Sequence, residues 1–122
     1  MNTRPSKIVC VGRSYAEHAQ ELGNAIPDSP VLFIKPPSSL ISLEDGITWN
    51  KNLGNLHHEC ELTLRLDQPL KNETDPQKAL EAIGAVTLGL DLTLRDLQDS
   101  LKKKGHPWER SKAFDGACVL AD

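Results

Sequence analysis

Between His57 and Leu66 the odd positions His57, Glu59, Glu61, Thr63 and Arg65 are all polar, while the even positions are mostly apolar: Cys60, Leu62, Leu64 and Leu66 follow His58. A period of two belongs to a β-strand and cannot sit on a helix. Such a strand places one face on a core and the other elsewhere, and the apolar even face is expected to be the core side. The same alternation sends Glu59 and Glu61 out of one face, with Cα atoms about 6.5–7 Å apart. Two carboxylates that close repel, so solvent screens them or a cation sits between them. An exposed, solvated sheet face is the plainer reading of that spacing.

The remaining pattern is also strand-rich. Lys7 to Val11 reads as a strand ended by Gly12, and the apolar run Val31–Ile34 reads as a buried strand stopped by Lys35-Pro36-Pro37. Ile83 to Asp91 is a further strand. Ser14 and Glu17 form a capping box that opens a short helix from about Tyr15 to Leu22, and Gly23-Asn24 ends it. Asp75-Pro76 opens a second helix that runs to about Ala82. Thr93 to Asp96 reads as the cap of a third, closed near Lys104 by three lysines and Gly105. Residues 38–55 read as short β-segments and loops, and 106–122 as irregular. With no internal repeat, this is an α+β, β-rich chain forming at most one domain.

Charge and composition exclude several functions. Lys+Arg is 14 and Asp+Glu is 17, a net charge of −3, so there is no basic surface for coating nucleic acid. No run approaches the roughly 18 apolar residues of a membrane span, and the N-terminal stretch lacks a signal-peptide cleavage pattern. The three cysteines, Cys10, Cys60 and Cys118, are far apart among apolar neighbours. They read as reduced, buried thiols of a cytoplasmic protein.

Several residues could carry chemistry. Asp91 follows the small residues Ala85, Thr87 and Gly89 on its own strand face, which leaves room beside it; it also precedes a helix, where a carboxylate can be a plain cap. Three carboxylates, Glu59, Glu61 and Asp91, without a Cys/His ligand pattern favour a hard cation, Mg²⁺ or Mn²⁺ rather than Zn²⁺. His18 and Glu21 are three apart on a short helix, as a water-activating dyad would be and as a surface pair would be. Arg95 and Gln98 share a helix face in the same way. Arg13-Ser14 and Lys35-Pro36-Pro37 are equally ambiguous.

Taken together the motifs are specific. They are Val11-Gly12-Arg13-Ser14-Tyr15 leading to His18 and Glu21, Leu32-Phe33-Ile34-Lys35-Pro36, His57-His58-Glu59-Cys60-Glu61, and Gly89 to Gln98. Lys103-Lys104-Gly105, Pro107-Trp108 and Lys112-Ala113-Phe114-Asp115-Gly116 follow. In this order and spacing the chain resembles the fumarylacetoacetate hydrolase family, within it the acylpyruvate hydrolase and hydroxydienoate isomerase branch. The resemblance implies a mixed β-roll of which residues 1–122 are the N-terminal part of a single catalytic domain, the C-terminal half lying outside this chain. It implies Glu59, Glu61 and Asp91 as ligands of Mg²⁺ or Mn²⁺, and His18, Glu21 and Lys112 as catalytic groups. Arg13, Lys35, Arg95 and Gln98 would contact a small keto-acid substrate or support its site. The implied reaction is metal-dependent hydrolysis of a carbon–carbon bond in an acylpyruvate or related 2,4-diketo acid, through an enolate. Oxaloacetate decarboxylation and 2-hydroxy-diene-dioate isomerisation are the enzymatic alternatives, and an inactive metal-binding fragment or assembly partner is the alternative of another class. A homodimer is expected when the full domain is present, without nucleic-acid or membrane partners.

Overall fold

The computed structural model describes residues 4–13, 21–23 and 28–121. The strands among them are β1 (Ile8–Gly12), β2 (Val31–Lys35), β3 (Leu40–Ser42), β4 (Leu56–Leu66), β5 (Ile83–Leu94) and β6 (Cys118–Leu120). Among the described residues the α-helices with defined bounds are α1 (Pro76–Glu81), α2 (Arg95–Lys103) and α3 (Glu109–Lys112), and single 3-10 turns form at Pro37–Ser39, Leu43–Asp45 and Lys51–Leu53. β1 and β2 form an antiparallel pair, Ile8 opposite Lys35 and Gly12 opposite Val31. The other four strands make one mixed sheet in the order β3-β6-β5-β4, with β3 parallel to β6 and the remaining pairs antiparallel. The expected strand-rich mixture of α and β is therefore present. Ser14 to Gln20, which include the expected capping box and most of the first helix, lie outside the described residues.

The β4–β5 ladder organises everything else. It pairs Leu56 with Leu94, Glu59 with Asp91, Glu61 with Gly89 and Leu64 with Val86. β5 is longer than the sequence pattern suggests. Thr93 and Leu94 still pair with His57 and Leu56, so Asp91 lies inside the strand and Thr93 is not a helix cap. α2 instead starts without a side-chain cap at Leu94, tied to the preceding loop through Arg95 N to Asn55 O at 3.2 Å and Asn55 N to Asp96 Oδ2 at 3.1 Å. α1 begins as expected: the Asp75 carboxylate accepts from Gln77 N at 2.9 Å and Pro76 takes the first helical position. Within 106–122, read from sequence as irregular, the chain forms α3 and β6.

The period of β4 is as expected, but its facing is the reverse. Leu62 is 61% exposed, and Leu64 and Leu66 are exposed as well, as are their β5 neighbours Val86 and Leu88. Glu59, Glu61 and Thr63 are the half-buried side. β2 likewise exposes Leu32 and Ile34, while Phe33 and Lys35 turn inward. Alternation reports that the two faces differ; it does not report which one the rest of the chain covers. Here the covering elements bring cations to the acidic face. Cys60, on the apolar face, is exposed rather than buried; Cys118 is buried and Cys10 intermediate.

The core lies where the C-terminal half of β5 meets β2, β6, α2 and α3. Leu92, Leu94, Leu101, Ala117 and Val119 are buried there, and so are Lys35, Asp91, Thr93, Arg95, Gln98, Ser111 and Lys112. Buried charge is tolerated only when paired and hydrogen-bonded. The pairing of those groups therefore decides what this region can do.

Candidate metal centre

The register of β4 against β5 builds the acidic cluster. Directly opposed residues share a sheet face, so Glu59 and Asp91 project together and Glu61, two residues on, joins them. One carboxylate oxygen from each of Glu59, Glu61 and Asp91 can be chosen so that all three lie within 4.8 Å of one another. Gly89 stands opposite Glu61, yet it does not open a void. A Cβ there would meet Thr63 Oγ1 at 2.7 Å and Leu120 Cδ2 at 2.8 Å, so the glycine lets its neighbours close in.

Three cations face two of these carboxylates, Glu59 and Asp91. Lys112, at the end of α3, donates from Nζ to Asp91 Oδ2 at 2.8 Å, Glu59 Oε2 at 3.2 Å and Thr93 Oγ1 at 2.6 Å. Arg95, the first residue of α2, donates from Nη2 to Glu59 Oε1, from Nη1 to Gln98 Oε1 at 2.7 Å, and from Nε to His57 Nδ1 at 3.2 Å. Lys35 ends β2 with its Nζ 2.8 Å from Asp91 Oδ1. Burial alone would raise the Glu59 carboxyl, but the Lys112 charge and the Arg95 guanidinium outweigh it and hold Glu59 down at about 2. Glu59 is thus an anion throughout the physiological range.

These residues suit a divalent cation. Oxygens around an octahedral ion with bonds of about 2.1 Å lie roughly 3–4.2 Å apart, a spacing comparable with the 4.8 Å within which these three oxygens lie. The donor set is all carboxylate. Cys60 projects from the opposite face and His57 Nδ1 is engaged by Arg95, so the set is that of a hard oxygen-seeking ion.

Not every residue expected at the site is in the cluster. Glu59, Glu61, Asp91, Lys112, Arg95 and Gln98 come together, Gln98 through Arg95. Lys35 joins them from behind: it is 1% exposed, and its Nζ faces Asp91, Leu92 O and Lys112 O rather than open space. Arg13 sits in the left-handed region at φ 55° after β1, and its buried Nε has no hydrogen-bond partner among the described residues. Glu21 is exposed, and His18 lies outside the described residues. Two participants were missed in the sequence, Thr93 and His57. Thr93 was legible in principle, since it is two residues past Asp91 on one strand face; reading it as a helix cap hid it. Beside Lys112, Phe33 and Trp108 line a cleft of about 370 Å³, with ring centroids 6.0 Å apart.

Residues 7–122 match the family model described as fumarylacetoacetate hydrolase, C-terminal. An oxaloacetate tautomerase of Escherichia coli is 45% identical over 116 residues, covering 95% of this chain and 52% of the relative. A mitochondrial oxaloacetate tautomerase of Caenorhabditis elegans is 45% identical over 115 residues, 94% of this chain and 53% of the relative. Among solved structures, the fumarylpyruvate hydrolase of Pseudomonas aeruginosa in complex with Mn²⁺ and pyruvate superposes with a TM-score of 0.75 at 31% identity. That match covers 94% of this chain and 51% of the solved one. A fumarylacetoacetate hydrolase family structure from Yersinia pestis superposes at 0.93 with 42% identity, covering 98% and 55%. The chain spans about half the length of the curated relatives it matches. No helix among the described residues is long and apolar enough to cross a membrane.

Proposed function

The chain belongs to the fumarylacetoacetate hydrolase family, and we propose that it carries the cation-holding part of a site that enolises a small 2-keto acid, with oxaloacetate the first substrate to test. The observation that carries this reading is the Glu59–Asp91 register pair, with Glu61 beside it and the Lys112 ammonium against it. A divalent cation held by Glu59, Glu61 and Asp91 would polarise the keto oxygen and favour the enolate. Lys112 presents a fixed positive charge next to the developing anion, and Thr93 and the two carboxylates hold its Nζ in place. Arg95 locks Glu59 while Gln98 locks Arg95, so the acidic face is set before substrate arrives.

Hydrolysis of an acylpyruvate, oxaloacetate decarboxylation and keto–enol tautomerisation all pass through such an enolate. Tautomerisation is supported by the relatives at 45% identity, both named oxaloacetate tautomerases, and hydrolysis by the fumarylpyruvate hydrolase at 31%. Hydrolysis also needs an activated water, the role proposed for His18 with Glu21. The test is ultraviolet absorbance of enol-oxaloacetate, with acylpyruvate cleavage and oxaloacetate decarboxylation assayed on the same protein. Metal-dependent acceleration of the enol–keto interconversion that Glu59→Gln abolishes is expected. Loss of acylpyruvate cleavage alone in His18→Ala, by about 10²–10⁴-fold, would favour the hydrolytic reading. Acceleration that survives Glu59→Gln would overturn the assignment of the site.

A further inference from the structure

Lys35 is the least exposed charged residue in the cluster. It follows four apolar residues on β2 and precedes two prolines that end the strand, so its backbone position is tightly fixed. Its side chain is 1% exposed and turns inward with Phe33. An ammonium has three N–H donors, and each has a protein acceptor here: Leu92 O at 3.2 Å, Asp91 Oδ1 at 2.8 Å and the carbonyl of Lys112. A fully satisfied, buried ammonium has no donor left for a substrate. A substrate-binding Lys35 therefore does not fit the geometry.

What Lys35 does touch is informative. Asp91 has two carboxylate oxygens; Lys35 takes Oδ1 and Lys112 takes Oδ2. The same Nζ holds the main chain of Lys112, the last residue of the four-residue α3. One side chain thus sets the rotation of a carboxylate and the backbone from which the lysine facing that carboxylate extends. We infer that Lys35 is a positioning residue: through Asp91 Oδ1 and Lys112 O it fixes the relative placement of Asp91 and Lys112 for cation binding. This rests on the cation-site reading above. A charge beside a ligand also repels a metal, so removing Lys35 has two opposing consequences. The positioning account requires the loss of orientation to win.

The test is Lys35→Met, which keeps length and removes the three donors, titrated with Mn²⁺ by calorimetry and by electron paramagnetic resonance on the full chain. Affinity is expected to fall by about 10–100-fold, the usual effect of losing a group that orients a ligand, with a changed Mn²⁺ spectrum. Leu101→Ala, a core truncation on α2 with no partner in the cluster, serves as a control for general destabilisation; it should keep the parent's affinity and spectrum. If Lys35→Met does not fold, Lys35→Gln, which retains part of the donor set, is titrated in its place and should lose affinity to a smaller degree. Unchanged affinity would overturn the inference. So would raised affinity, which would make Lys35 a competing cation, or an equal loss in Leu101→Ala. If the parent protein binds no Mn²⁺, it is the cation-site reading that fails.

Discussion

Replacing Asp91 by Asn keeps the side chain's shape and removes its charge. Asp91 faces two ammonium groups at 2.8 Å, and the Lys35 and Lys112 side chains are 1% and 4% exposed. At an effective dielectric of about 20, each contact is worth roughly 6 kcal/mol of attraction before desolvation is counted. An amide can accept from one lysine, but it then turns an N–H₂ donor toward the other. Removing one member of a buried ion pair leaves uncompensated charge and costs about 3–5 kcal/mol. That is a large part of the roughly 5–15 kcal/mol available to a domain. Urea unfolding of chelator-treated protein, followed by tryptophan fluorescence, should move its midpoint down by about 2 M for a slope of about 2 kcal/mol per M. Adding Lys35→Met should recover part of the loss, because one unpaired ammonium goes with it. A loss below about 1 kcal/mol, the size of a surface pair, would refute the buried triad.

Three further outcomes follow from the same geometry. Because Glu59 is held at about 2 against an ordinary 4.5, its contribution to stability is complete above pH 4.5 and is lost as pH falls toward 2; the stability gap between metal-free parent and Glu59→Gln should close over that window. Gly89→Ala should destabilise by about 1–3 kcal/mol in thermal unfolding, since its Cβ would also press on Val119 O at 3.2 Å, and Thr63→Ala should relieve only part of this. Alkylation followed by mass spectrometry at mildly basic pH should label Cys60 first. Burial, helped by the Asp91 charge, pushes the Cys10 thiol up to about 11, and burial raises Cys118, so both hold less thiolate than an exposed cysteine.

Much of the site was legible because strand geometry is periodic. Glu59 and Glu61 have to share a face once the alternation from His57 to Leu66 is read as a strand, and Asp91 follows from the family motif. The ladder register that sets Asp91 opposite Glu59 was not legible, since pairing depends on contacts that no single strand encodes. For the same reason the sequence does not encode which face of β4 is covered. The apolar residues Leu62 and Leu64 suggested a core, but the chain puts Lys35, Arg95 and Lys112 over the acidic face instead. Thr93 resembles a cap in sequence because Thr is a favoured N-cap residue; pairing with His57 of β4 keeps it in the sheet. The pairing of Lys35 with Asp91 spans distant parts of the chain and left no local signal.

We propose that Glu59, Glu61 and Asp91 together hold one divalent cation. Its most direct test is a Mn²⁺ titration, read by calorimetry, of the parent protein against Glu59→Ala, Glu61→Ala and Asp91→Ala, each first shown to be folded by circular dichroism. One ion per chain in the parent, and a loss of binding in each of the three variants, is the predicted result. Parent-like affinity in any one of them would remove that residue from the site, and parent-like affinity in all three would contradict the account.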